Sequence, residues 1–125
     1  MRLFTQQVLL RQVFNQDTVY TDPQHNALLG SAERLAVQVN GENVSNSPTV
    51  TVKLEHSNDG QNFVEKSTLI NAQAICASPI VPILGYETGT TATCSYARLK
   101  ISMAGTGNAL LTVIVCGRGE QACGS

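Results

Sequence analysis

The stretch that most limits what this chain can fold into runs from Thr49 to Leu69, TVTVKLEHSNDGQNFVEKSTL. Its first half alternates without a break. Val50, Val52 and Leu54 fall on one face, and Thr49, Thr51, Lys53 and Glu55 on the other. A period of two marks a strand with one buried and one wet face. The run ends in Ser57-Asn58-Asp59-Gly60, and Asn, Asp and Gly tolerate the left-handed backbone of a tight hairpin turn. Asn58, Asp59 and Gly60 are therefore the expected turn, and Phe63 and Val64 the start of a return strand. Two further runs alternate, Arg34 to Asn40 and Arg98 to Met103, while Leu110 to Cys116 is more continuously apolar.

The rest of the chain reads as strands and turns. Val8, Leu9, Leu10, Val13 and Phe14 fit no single alternation, although their β-branched and aromatic content favours a strand or arm over residues 1–14. Asp22 precedes Pro23, so no helix crosses it, and Val19-Tyr20 is a short pairing point within a loop. Leu35, Val37 and Val39 face inward in a strand that ends at a turn over Asn40-Gly41-Glu42-Asn43. Pro79 and Pro82 confine Cys76 to Leu84 to an edge or an extended loop, because proline cannot donate to a ladder. Gly85 to Ser95 reads as a flexible surface loop. Tyr96 to Met103 and Leu110 to Gly117 are expected to form a closing hairpin around Ala104-Gly105-Thr106-Gly107-Asn108. The tail, 118–125, carries no large apolar side chain.

Seven or eight short strands at this spacing predict an all-β, antiparallel β-sandwich of jelly-roll type, with its domain over residues 15–117. At 125 residues there is room for one core. Charged residues make up only 14% of the chain, against about 25% in an ordinary globular protein. Such a surface suits a protein held against neighbours, and it equally suits an antiparallel sheet that presents Thr and Ser to water. With net charge −1 and scattered basic residues, there is no electrostatic footprint for nucleic acid. The N-terminus lacks the apolar core of a secretory signal, and the longest apolar run is too short to span a bilayer. The expectation is a product made in a cytoplasm that does not enter a membrane.

Candidate chemistry is sparse. Cys76, Cys94, Cys116 and Cys123 show no Cys-x-x-Cys spacing, and His25 and His56 do not complete a metal site. The four cysteines are expected either as reduced thiols, with Cys116 buried as a small apolar side chain, or as bridge or interface thiols. In the second case Cys76 and Cys94 would close the loop between them, and Cys123 would link subunits. The Ser57–Gly60 turn lacks the alternating acids and late Glu of a calcium loop. Glu55 and His56 are adjacent on a strand and so point to opposite faces, which prevents an acid–base pair. No nucleophile elbow or phosphate loop is present. No catalytic residue, metal or cofactor is expected. With three tyrosines and no tryptophan, aromatic platforms for sugars are few.

The run Thr51 to Phe63, strand then Ser57-Asn58-Asp59-Gly60 then an aromatic, resembles a hairpin of small β-sandwich proteins of tailed-bacteriophage virions. Galactose-binding-like sandwiches carry a similar hairpin, and in such hairpins the aromatic after the turn is often Trp, where Phe63 stands here. Tyr96 to Ser102, Gly105-Thr106-Gly107 and Leu111 to Val115 resemble the closing strands of the same proteins. The resemblance implies a capsid decoration (cement) protein located in the virion. It would form a homo-oligomer, with a trimer favoured, and would bind the major capsid protein or other virion subunits. Residues 1–14 would then be available to add a strand to a neighbouring sheet. The alternative it implies is a module that binds carbohydrate or a host surface, with an exposed aromatic near the Gly85–Ser95 loop.

Overall fold

The computed structural model describes residues 2–30, 34–75, 82–87 and 93–119, with side chains over 8–30, 35–75, 82–87 and 93–117. Its strands are β1 (Arg2–Phe14), β2 (Thr18–Tyr20), β3 (Arg34–Glu42), β4 (Thr49–Ser57), β5 (Val64–Ala74), β6 (Ile83–Tyr86), β7 (Tyr96–Ala104) and β8 (Ala109–Gly119). A 3-10 turn over Pro23–His25 and a five-residue helix, α1 (Asn26–Gly30), lie between β2 and β3. The strands form two four-stranded sheets, ordered β1-β8-β3-β6 (sheet A) and β2-β7-β4-β5 (sheet B), and every pairing is antiparallel. This is the two-sheet, eight-stranded arrangement of a jelly roll.

Alternation along the strands builds the core. Val50, Val52 and Leu54 of β4 meet Ala97, Leu99, Ile101 and Met103 of β7 inside sheet B. Leu35, Val37 and Val39 of β3 and Leu111, Val113 and Val115 of β8 do the same for sheet A. Each of the buried Val, Leu, Ile and Met side chains among these contributes about 1.5–3 kcal/mol relative to exposure. Two strands depart from strict alternation. In β1, the register shift at Val8/Leu10 lets both Leu9 and Phe14 face inward. In β5, adjacent Leu69 and Ile70 are both buried beside an irregular pairing with β4, and Ala72 there adopts a φ of 46°. A bulge places two residues of one strand opposite one of its partner and so inverts the side-chain parity.

The structure revises several sequence expectations. β7 and β8 are not a hairpin, because β7 pairs with β2 and β4 in sheet B while β8 pairs with β1 and β3 in sheet A. The Ala104–Asn108 connection crosses between the sheets, with positive φ at Gly105 and Gly107. β3 continues through Glu42 rather than turning at Asn40, since β8 pairs with it as far as Leu110. Gly85 and Tyr86 belong to edge strand β6 rather than to a loop, and residues 88–92 lie outside those described. β1 pairs with β8 of its own chain and forms one edge of sheet A. β8 extends to Gly119, so the expected tail begins within a strand, and residues 120–125 lie outside those described.

Candidate functional site

The expected hairpin turn closes on itself. The Ser57 hydroxyl accepts from the backbone N–H groups of Asp59 and Gly60, each at 3.1 Å, and donates to Asp59 Oδ1 at 2.6 Å. That carboxylate also accepts from the backbone of Gln61 and Asn62 and from the Asn62 side chain. These bonds, the Ser57 hydroxyl first, hold the Asp59 carboxyl far below the usual carboxylate range. Gly60 takes a φ of 76°, as the turn requires. The turn also grips the segment before β7. Cys94 N–H donates to His56 Nδ1 at 3.2 Å and Ser95 N–H to Asn58 Oδ1 at 3.1 Å. Asn58, Asp59 and Gly60 thus shape one end of the sandwich, and their polar groups are used internally.

Of the candidate thiols, Cys94 and Cys116 are free. Cys76 and Cys123, and the bridge and subunit link expected of them, lie outside the described residues. Cys116 is exposed, not buried. In β8 the inward residues are Ala109, Leu111, Val113, Val115 and Gly117, so parity sends Cys116 to the outer face of sheet A.

That outer face holds the cavity of interest. Register places its residues in rows across the strands: Cys116–Ala36–Tyr86, then Val8–Ile114–Gln38–Leu84, then Arg11–Thr112–Asn40, then Val13–Leu110–Glu42. The first two rows, Val8 excepted, line an open groove of about 380 Å³. Tyr86 forms one wall, 57% exposed and opposite Ala36, with Leu84 beside it opposite Gln38. Gln38 Nε2 donates to Asn40 Oδ1 at 3.0 Å, which fixes the amide on the sheet. Below the groove, Arg11 reaches Glu42 at 3.6 Å and Thr112 at 3.3 Å. Among the described residues the groove is lined by apolar groups, one aromatic ring, one amide and one thiol, and by no charged side chain.

Gly85 sets the position of Tyr86. It is buried in β6, facing β5 of the other sheet, where a Cβ would stand 2.5 Å from the Leu69 carbonyl oxygen. The missing side chain lets the edge of sheet A press against sheet B, and Leu84 and Tyr86 are thereby turned outward on either side of it.

The opposite outer face, on sheet B, is polar. Arg98 lies between the rings of Tyr20 and Phe63, with its guanidinium 4.1 and 4.3 Å from their centroids, and pairs with Glu55 at 2.8 Å. Lys53 pairs with Glu65 at 3.2 Å. Among the described residues no three or more His, Cys, Asp or Glu converge as a metal site, and no helix is long and apolar enough to cross a membrane.

No protein-family model matches the chain, and no curated protein sequence does. Solved structures do share its fold. One is the N-terminal CBM22-1–GH10 portion of the Clostridium thermocellum endo-1,4-beta-D-xylanase 10B, complexed with xylohexaose. It matches with a TM-score of 0.54 at 12% identity, over 85% of this chain and 20% of that one. The second is the CBM22-1 xylan-binding domain of Paenibacillus barcinonensis Xyn10C, with a TM-score of 0.50 at 10% identity, over 93% of this chain and 87% of that one. The chain therefore spans about a fifth of the first structure and most of the second. At these identities the likeness is one of fold.

Sequence reasoning named Tyr86 only as one of three tyrosines and did not find the groove. Its walls come from β3, β6 and β8, which meet only through long-range pairing. The one available signal was the alternation Ile83-Leu84-Gly85-Tyr86 after Pro82, which marks a short edge strand with Leu84 and Tyr86 on one side.

Proposed function

We propose that the chain is a non-catalytic carbohydrate-binding module that receives a neutral glycan in the groove on sheet A. The observation that carries this reading is the placement of Tyr86. Its exposed ring stands at the edge of a groove with no charged side chain among its described lining residues, and the Gln38 amide lies in the next row, opposite Leu84. A sugar ring offers a face of C–H groups that stacks on an aromatic ring, and a rim of hydroxyls that hydrogen-bond to amides. The jelly-roll likeness to two structures described with xylohexaose and as xylan-binding supports the same reading. A glycan binder is expected to carry an exposed aromatic near the Gly85–Ser95 loop with polar neighbours; Tyr86 is such an aromatic, and the Gln38 amide is the polar side chain nearest it along the groove lining.

Affinity electrophoresis through gels containing neutral polysaccharides, xylan among them, tests this. The native chain is retarded by at least one neutral polysaccharide, and Tyr86→Ala runs as in the empty gel. Equal mobility of both proteins in every gel contradicts the reading.

A second reading, a capsid decoration protein bound to virion subunits or to copies of itself, is favoured by one specific observation. The apolar surface of the groove continues through Ile114 to Val8 on the β1 edge, 52% exposed, and Val13, 63% exposed, lies on the same edge beyond the Arg11–Thr112–Asn40 row. Contiguous exposed apolar surface is commonly a protein contact. Light scattering behind size exclusion separates the two. A stable oligomer dispersed by Val8→Asp and Val13→Asp supports assembly, whereas a monomer retarded by polysaccharide supports the glycan module.

A further inference from the structure

We propose a second binding site on the outer face of sheet B, centred on Lys100, that takes a carboxylate or sulfate group borne on a saccharide. Lys100 of β7 stands directly opposite Lys53 of β4. In an antiparallel pair such residues have their Cβ atoms about 4.5–5.5 Å apart, and like charges there oppose pairing. Lys53 is neutralised by Glu65 and Arg98 by Glu55. Three cations and two anions leave one positive charge on this part of the face. It belongs to Lys100, which is half-buried and has no ion pair among the described residues. A sheet that places an unneutralised lysine against another lysine is arranged for an anion between them.

The neighbouring rows say what carries the anion. Tyr20 of β2 lies opposite Lys100 on its other side, 44% exposed, with its ring held by Arg98. In the next row Thr18, Ser102 and Thr51 line up across β2, β7 and β4. The Thr51 oxygen accepts from the backbone N–H of Ala72 and keeps its own proton to donate, and the Ser102 hydroxyl makes no side-chain hydrogen bond among the described residues. An ammonium, a line of hydroxyls and a fixed aromatic match an anionic sugar: charge to charge, hydroxyl to hydroxyl, ring to ring. The ring and hydroxyls are already positioned by the sheet, so little ordering accompanies binding. This site lies on the opposite sheet from the Tyr86 groove and stands independently of it.

Calorimetric titration of the full chain tests it with four probes: trigalacturonate for the carboxylate, a carrageenan-derived tetrasaccharide for the sulfate, neutral galactotriose, and hexaglutamate for an acidic peptide. At least one anionic oligosaccharide binds more tightly than the neutral one, and its affinity falls as salt rises from about 50 to about 500 mM. Lys100→Gln weakens that binding about tenfold, the loss of one charge-assisted contact. Glu65→Gln strengthens it, because Lys53 is then released toward the same anion. Lys100→Gln also melts no lower than the native chain, since it removes the opposition to Lys53. The proposal is overturned if neither anionic sugar binds better than galactotriose, or if Lys100→Gln binds as the native chain does. It is overturned equally if hexaglutamate binds more tightly than both sugars through Lys100.

Discussion

Replacing Gly85 by alanine probes how packing between the sheets positions the groove. The added Cβ would sit 2.5 Å from the Leu69 carbonyl oxygen, 2.7 Å from an Ile70 side-chain carbon and 2.9 Å from the Leu69 carbonyl carbon. Ordinary contact begins near 3.4 Å, so β6 must retreat by about 0.9 Å from β5. The obstacle is backbone of the facing sheet and not the end of a flexible side chain. Overpacking of this kind costs about 1–3 kcal/mol. Alanine recovers about 0.5–1 kcal/mol through the smaller entropy of its unfolded state, because nothing in the Gly85 backbone excludes a side chain. The clash wins, with a net destabilisation of about 1–2 kcal/mol and a fall in Tm of about 4–8 °C for a domain of this size. Because Leu84 and Tyr86 flank Gly85, the same shift moves the groove wall, and affinity for neutral glycan falls together with Tm. Differential scanning calorimetry and a glycan titration read the two effects. Tyr86→Ala is the control: its ring is exposed, so binding is lost while Tm stays within about 1 °C. A Gly85→Ala protein with native Tm and native affinity refutes the packing argument.

Three further outcomes follow from named contacts. Arg98→Ala removes the Glu55 pair and the contacts with Tyr20 and Phe63 together, and lowers stability by about 1–3 kcal/mol in chemical denaturation; Arg98→Lys restores little, because a point charge lacks the planar stack. Asp59→Asn loses stability at neutral pH. The folded carboxyl titrates below its unfolded value of about 3.9, so its stabilising effect is complete above that pH and fades as acidity increases. The difference between native and variant stabilities therefore narrows below about pH 4, and a constant gap down to pH 2 contradicts this. With the other cysteines replaced by serine, Cys116 reacts with a thiol reagent faster than Cys94 does, and a glycan in the groove slows Cys116 alone.

The sandwich itself was legible where alternation is strict. Thr49 to Glu55 forecast β4, and its faces are as expected because nothing interrupts the period of two. The turn at Asn58-Asp59-Gly60 was legible for the same local reason. β1 was ambiguous because its register shift at Val8/Leu10 puts Leu9 and Phe14, five residues apart, on one face. The β7–β8 connection misled because Gly105-Thr106-Gly107 has hairpin chemistry, whereas the partners of each strand are set by tertiary pairing far away in sequence. Cys116 was misplaced because a run as apolar as Leu110 to Cys116 hides its own parity. Ile114 and Cys116 face outward only because Val113 and Val115 face in. The groove was illegible altogether, since its row Ile114–Gln38–Leu84 joins three strands far apart in the chain.

The central claim, that the Tyr86 groove is where this chain meets its ligand, is tested most directly by following backbone amide resonances while xylohexaose is added. The account predicts shifts clustered at Ala36, Gln38, Leu84, Tyr86, Ile114 and Cys116, and absent in Tyr86→Ala. Shifts confined to sheet B, or a spectrum unchanged at millimolar xylohexaose and equally unchanged by other neutral glycans, would contradict it.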